Sequence, residues 1–125
     1  MTEPWILIVD DNPLNLKLAK LVLETEGYRV ETAIDAEEAL KLLDTALPRL
    51  ILMDIQLPGM DGLELARRLK RDTATAGVAI VAVTAYAMTT DEQKAMAAGC
   101  DGYIRKPFNT STLPDLVAHY VHRSN

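Results

Sequence analysis

Short apolar runs alternate five times along the chain with longer stretches of helical period. Trp5 to Val9 reads as a strand, after which Asn12 offers a helix N-cap and Pro13 the first helical position. The helix that follows places Leu14, Leu18, Leu21 and Val22 on one face, and Gly27 ends it. Tyr28 to Thr32 alternates instead, with Arg29 and Glu31 opposite Tyr28, Val30 and Thr32, a pattern suited to a half-exposed edge strand. Asp35 and Glu38 form a capping box for a second helix whose buried stripe is Ala36, Ala39, Leu40 and Leu43. Leu50 to Met53 is again a fully apolar strand. Pro58-Gly59 supplies turn chemistry, and Asp61 with Glu64 opens a third helix that runs to Lys70. Arg67, Arg68, Lys70 and Arg71 gather at its end, which reads as cations on a solvated face that complement the helix dipole in preference to a basic phosphate-binding patch.

Val78 to Val83 is apolar throughout and reads as a central strand. Thr90 and Gln93 open a fourth helix that Gly99 closes. This helix is rich in alanine and poor in large apolar side chains, so it is expected to be the least firmly docked. Gly102 to Ile104 makes a short fifth strand, and the last helix carries Leu113, Leu116, Val117, Tyr120 and Val121 as a wide apolar stripe. Five strand–helix units of this length imply an α/β fold, a five-stranded parallel sheet with helices on both faces. Placing the alternating strand at the edge favours the order 2-1-3-4-5. In such sheets ligands sit beyond the carboxyl ends of the strands, near the switch point between strands one and three.

Polar residues collect at that rim. The first strand runs into Asp10-Asp11, the third into Asp54, the fourth into Thr84, and the fifth reaches Lys106-Pro107 within a residue. Three carboxylates at close range repel one another strongly in a low-dielectric cleft, so the arrangement calls for a cation or a proton. Carboxylate oxygens in this number suit a hard ion, and Mg²⁺ takes one or two carboxylates while keeping several waters. A carboxylate left partly free beside such an ion can attack phosphorus and form an aspartyl phosphate. Lys106 would help to neutralise the charge that develops, and the Thr84 hydroxyl could bond the product phosphoryl group.

Composition narrows the setting. The chain has 125 residues, enough for one domain, residues 1–125, with little room for a second module. A net charge of -5 argues against a general nucleic-acid binder. No apolar run approaches the roughly 20 residues of a membrane span, and no charged-then-apolar leader opens the chain. The one cysteine, Cys100, has no partner for an internal disulfide and reads as a small core residue. A cytoplasmic protein is the expectation.

The motifs "ILIVDDN", "LILMDIQLPGMDG", "VAVTAYA" and "AGCDGYIRKPF" follow in order at the expected strand ends. Through the set Asp10-Asp11, Asp54, Thr84 and Lys106-Pro107, the chain resembles the receiver domain of two-component response regulators, over essentially its whole length. The "DDNPLN" and "DIQLPGMDG" wording is most similar to single-domain cell-cycle-type receivers and to receivers of hybrid kinases. The resemblance implies a flavodoxin-like receiver fold without an output domain. It also implies that Asp54 accepts a phosphoryl group from a sensor histidine kinase or a histidine phosphotransfer protein. By the same resemblance Asp11, Asp54 and the backbone carbonyl of Gln56 ligate Mg²⁺, and Asp10 acts through a coordinated water. Thr84 and Tyr103 match a switch pair, and signalling would end in a contact with a downstream protein target.

Other readings of the same residues were open. A Mg²⁺-dependent phosphatase with an aspartyl nucleophile would want a second aspartate two residues beyond it, where this chain has Gln56. A flavin domain would want a glycine-rich phosphate cradle in place of Asp11-Asn12-Pro13, and the paired aspartates would repel the flavin phosphate. Tyr86, two residues past Thr84, fits either a shield that keeps water from the aspartyl phosphate or an exposed docking aromatic. His119 and His122 share a helix face but lack an evident third ligand, and so read as exposed residues near a chain end.

Overall fold

The structure of the chain is a computed structural model, which describes residues 5–55, 57, 61–84, 89–105 and 111–122. Strands and helices alternate: β1 (Trp5–Val9), α1 (Pro13–Thr25), β2 (Arg29–Ala33), α2 (Ala36–Thr45), β3 (Leu50–Asp54), α3 (Gly62–Arg71), β4 (Ala79–Thr84), α4 (Thr89–Ala97), β5 (Gly102–Arg105) and α5 (Leu113–Val121). The strands form one parallel sheet in the order β2-β1-β3-β4-β5, as the sequence predicts. The central strands β1, β3 and β4 are buried along their whole length, which is why they carry unbroken apolar runs. The edge strands show their position through exposed Arg29 and Arg105.

Successive side chains of a strand point to opposite faces of the sheet. Leu7, Val9, Ile51, Met53 and Ile80 therefore meet Ala39, Leu65, Leu69 and Ala95 in a core under α2, α3 and α4. Ile6, Ile8, Leu52, Val81 and Val83 meet Leu16, Leu23, Leu113 and Val117 in a second core under α1 and α5. The capping reading holds at α2, where the Asp35 carboxylate accepts from the Glu38 N–H at 2.8 Å, and at α3, where Asp61 accepts from the Leu63 N–H at 2.8 Å. Cys100 is buried, and His119 and His122 are exposed. No described helix is long and apolar enough to cross a membrane.

Two local readings are corrected. On α1 the residues driven into the core are Leu16, Ala19 and Leu23, with Val22 partly packed, whereas Leu14, Leu18 and Leu21 are 76%, 41% and 62% exposed. The helix carries leucine on nearly every side, so period alone does not select the inner face. The cap does more: Asn12 Oδ1 accepts from the N–H groups of Leu14 and Asn15 at 2.9 and 3.4 Å and fixes where the helix begins. At the end of α3, Arg68 and Arg71 are exposed and Arg67 pairs with Glu64 at 3.1 Å, but Lys70 turns inward and bonds Asp101 at 2.8 Å. A fixed partner across the fold outweighs the diffuse pull of the helix dipole.

Candidate functional site

Register brings the strand ends level. Val9 pairs with Met53 and Asp54 with Val83, so β1, β3 and β4 finish at one rim, at the switch point between β1 and β3. Asp10, Asp54 and Thr84 stand there, 2%, 5% and 0% exposed. The Asp10 N–H donates to the Ala33 carbonyl at 3.0 Å, and the Ile55 N–H to the Val83 carbonyl at 3.1 Å, which ties each turn to its neighbour strand. The Asp10 carboxylate accepts from the Asn12 N–H at 2.9 Å and from the Asn15 side-chain amide at 3.4 Å. One carboxylate oxygen from each of Asp10, Asp11 and Asp54 lies within 4.8 Å of the other two, with Asp11 exposed at the mouth.

The start of α3 is pressed against the same place. A Cβ on Gly62 would fall 2.7 Å from the Ile55 Cα and clash with the Asp54 carbonyl oxygen, and the Gly62 N–H donates to the Ile55 carbonyl at 3.3 Å. Any side chain there would push α3 away from the end of β3. Glycine thus brings the positive end of one helix beside Asp54, while α1 starts beside Asp10 and Asp11. Helix N-termini favour negative charge, so both lower the cost of the acidic cluster.

Asp10 and Asp54 are buried with carboxylate oxygens at most 4.8 Å apart, and like charges so close favour a cation beside them. An all-oxygen anionic set of this kind matches a hard divalent cation. The residues present fit such an ion.

The sequence from residue 6 to 118 matches the model of the response regulator receiver domain. The chain belongs to the response regulator receiver family. It is 40% identical over 116 residues to the polar-differentiation response regulator DivK of Brucella anthropi, covering 93% of this chain and 94% of that protein. Among solved structures it is similar to a CheY-like receiver domain protein from Methanospirillum hungatei, at 36% identity and a TM-score of 0.88, covering 96% of this chain and 94% of that one. It is also similar to the chemotaxis response regulator CheY4 of Vibrio cholerae, at 29% identity and a TM-score of 0.88, covering 95% and 99%. Receiver domains of this family work in two-component signalling, between histidine kinases or phosphotransfer proteins and downstream targets.

In this receiver the fold brings together Asp10, Asp11 and Asp54 at one rim and ends β4 on Thr84 at the same edge. Tyr103, on β5 opposite Ala82, is half-buried and packs against the core under α2 to α4. Gln56, Tyr86 and Lys106 lie outside the described residues. Two contributors were missed from sequence. Asn15 sits one turn after the Asn12 cap, and that spacing within "DDNPLN" was the available signal. Gly62 follows the cap Asp61, where glycine has no helical advantage, so its presence already pointed to a close approach.

Proposed function

We propose that this receiver takes a phosphoryl group on Asp54 from a histidine kinase or a histidine phosphotransfer protein and passes the signal on by protein contact. The observation that carries the reading is the meeting of the Asp10, Asp11 and Asp54 carboxylates within 4.8 Å in a chain of the receiver family. Asp54 Oδ attacks phosphorus, the new O–P bond forms as the P–N bond of the phosphohistidine breaks, and the imidazole leaves. Asp11 and Asp54, with the Gln56 carbonyl that the family resemblance adds, would hold Mg²⁺ and Asp10 would act through a coordinated water, and the ion would supply charge neutralisation at the phosphoryl oxygens. Asn12 and Asn15 keep the Asp10 carboxylate aimed at the pocket. Gly62 keeps the backbone of Asp54 against the start of α3. Lys106 pairs with the transferred group, and Thr84 with Tyr103 reads it out.

A donor that reaches a buried carboxylate must cover the rim around it. The exposed Leu14, Leu18 and Leu21 run down α1 directly from that rim at i, i+4 and i+7, and exposed Ile34 follows β2 at the same end. Contiguous apolar side chains of this kind mark an interaction surface, and their spacing fits a helix of the donor. The added phosphoryl group brings roughly -1.5 to -2 charges, and the surface of α4, β5 and α5 carries the change to the target.

Treatment with acetyl phosphate and Mg²⁺ followed by intact-mass measurement tests the reading. Wild type should gain one phosphate that chelation of Mg²⁺ prevents and that Asp54→Ala does not acquire. An adduct that survives in Asp54→Ala, or none in wild type, refutes it.

A further inference from the structure

Where α2 and α3 end, at the opposite end of the sheet from the three carboxylates, a groove of about 420 Å³ opens between them. Its lining is apolar at the base: Leu43 and Leu69 are buried, Leu40 is half-buried, and Leu47, just past α2, is 47% exposed. Asp44, in the last turn of α2, and Asp72, the C-cap of α3, line the same groove and are both exposed. Among the described residues, no lysine or arginine lines it, and none pairs with either carboxylate.

The two helix ends differ in charge. The negative end of a helix dipole favours cations, and α3 carries Arg68, Lys70 and Arg71 in its last turn. The last turn of α2 carries none, and Asp44 stands there against the dipole. Negative potential therefore gathers on the α2 side beside exposed apolar surface. The α3 side is a preformed wall. The Asp72 carboxylate accepts from the Ala74 N–H at 2.9 Å, and its carbonyl accepts from the Thr75 and Ala76 N–H groups at 3.0 and 2.8 Å. The buried Thr75 hydroxyl donates to the Leu69 carbonyl. A wall already fixed by its own bonds loses little entropy when something docks against it.

We propose that this groove docks a basic amphipathic segment of a partner protein, its apolar side chains on Leu43, Leu47 and Leu69 and its lysines or arginines toward Asp44 and Asp72. The long stems of such cations lie along leucine while their charged heads reach carboxylate, so one residue type meets both features of the groove. A neutral or acidic segment would cover the two carboxylates without pairing them, at a cost to binding. The chain itself, at a net charge of -5, is a poor occupant. The groove lies at the far end of the sheet from Asp54 and on the other face from the leucines of α1, so the proposal stands independently of phosphotransfer.

Titration of the full chain, followed by amide NMR, decides it. The probes are an acetylated, amidated amphipathic peptide of leucine and lysine and its counterpart with glutamate at every lysine. The lysine peptide should shift the Leu43, Thr45, Leu47 and Ala74 amides saturably, and the glutamate peptide should not. Asp44→Asn with Asp72→Asn, two exposed changes that keep an acceptor for the Ala74 N–H, should weaken binding at least about tenfold, the scale of two charge-assisted bonds. Glu24→Gln with Glu26→Gln changes net charge equally at the exposed end of α1 and should leave affinity within about twofold. Leu47→Ser should weaken binding about fivefold or more, whereas Leu18→Ser should not. Equal losses in the two acid pairs, equal binding of the glutamate peptide, or shifts that centre on α1 or never saturate overturn the proposal. Self-association in ultracentrifugation that Asp44→Asn with Asp72→Asn abolishes also overturns it, in favour of a second copy of the chain.

Discussion

The two ends of the sheet handle charge in opposite ways. At the carboxyl ends of the strands, three carboxylates are drawn within 4.8 Å of one another. At the other end, Lys70 and Asp101 form a 2.8 Å pair whose remaining capacity goes to backbone groups of Val78 and Ile80. The first cluster gathers like charge, which raises the free energy of the folded chain unless positive charge is brought near. The second satisfies itself and fixes geometry. A cluster of three carboxylates suits a cation, whereas a bonded pair with backbone partners marks a joint.

The contrast can be broken at several points. Gly62→Ala should have the largest effect, costing about 3 kcal/mol of stability because the new methyl meets backbone rather than a yielding side chain. It should also slow labelling of Asp54 by acetyl phosphate about tenfold or more, since a small displacement at a reacting group is costly. Denaturant unfolding and intact mass measure the two.

Neutralising one acid at each end should then shift stability in opposite directions. Asp101→Asn should destabilise by about 2 kcal/mol, the scale of a lost charged hydrogen bond. Asp54→Asn should stabilise by about 1–3 kcal/mol without divalent cation, through relief of repulsion, and Mg²⁺ should stabilise wild type more than this variant. Thermal melts with and without Mg²⁺ check the signs, and the same sign for both variants would erase the distinction.

Cys100, next to Asp101, offers a pH test. Burial pushes its thiol up from 9.0 to about 11, with Asp101 adding to the rise and Lys70 opposing it. Both folded and unfolded chains hold the thiol proton below pH 9, and above it the unfolded chain loses a proton that the folded chain keeps. This contribution to stability is therefore complete below pH 9 and lost as pH rises toward 11. Cys100→Ala should show a flatter decline over that window in denaturant unfolding. The smallest stability change belongs to α1: Leu14→Ser with Leu18→Ser should alter stability by about 0.5 kcal/mol or less. Labelling by acetyl phosphate should be unchanged, while transfer from a phosphorylated donor protein should fall about tenfold, as for loss of an interface anchor.

Much of this was legible in the chain. Unbroken apolar runs mark β1, β3 and β4 because parallel strands are buried on both faces, and each run stops abruptly on the polar residue that forms the site. The alternation after Gly27 placed β2 at the edge, and with it the order of the sheet. What stayed hidden depended on which surface each element meets. The leucines of α1 point in every direction, so the inner row, Leu16 and Leu23, and the outer row, Leu14, Leu18 and Leu21, are assigned only when the sheet lies beneath the helix. Lys70 resembles its neighbours Arg68 and Arg71 until β4 and Asp101 come within its reach. By itself the sequence determined the strands, their order and the acids at their ends, because burial and charge are written locally in residue type. Tertiary structure decided which leucines meet solvent, which lysine is a joint, and why residue 62 has no side chain, because those depend on contacts between segments far apart along the chain.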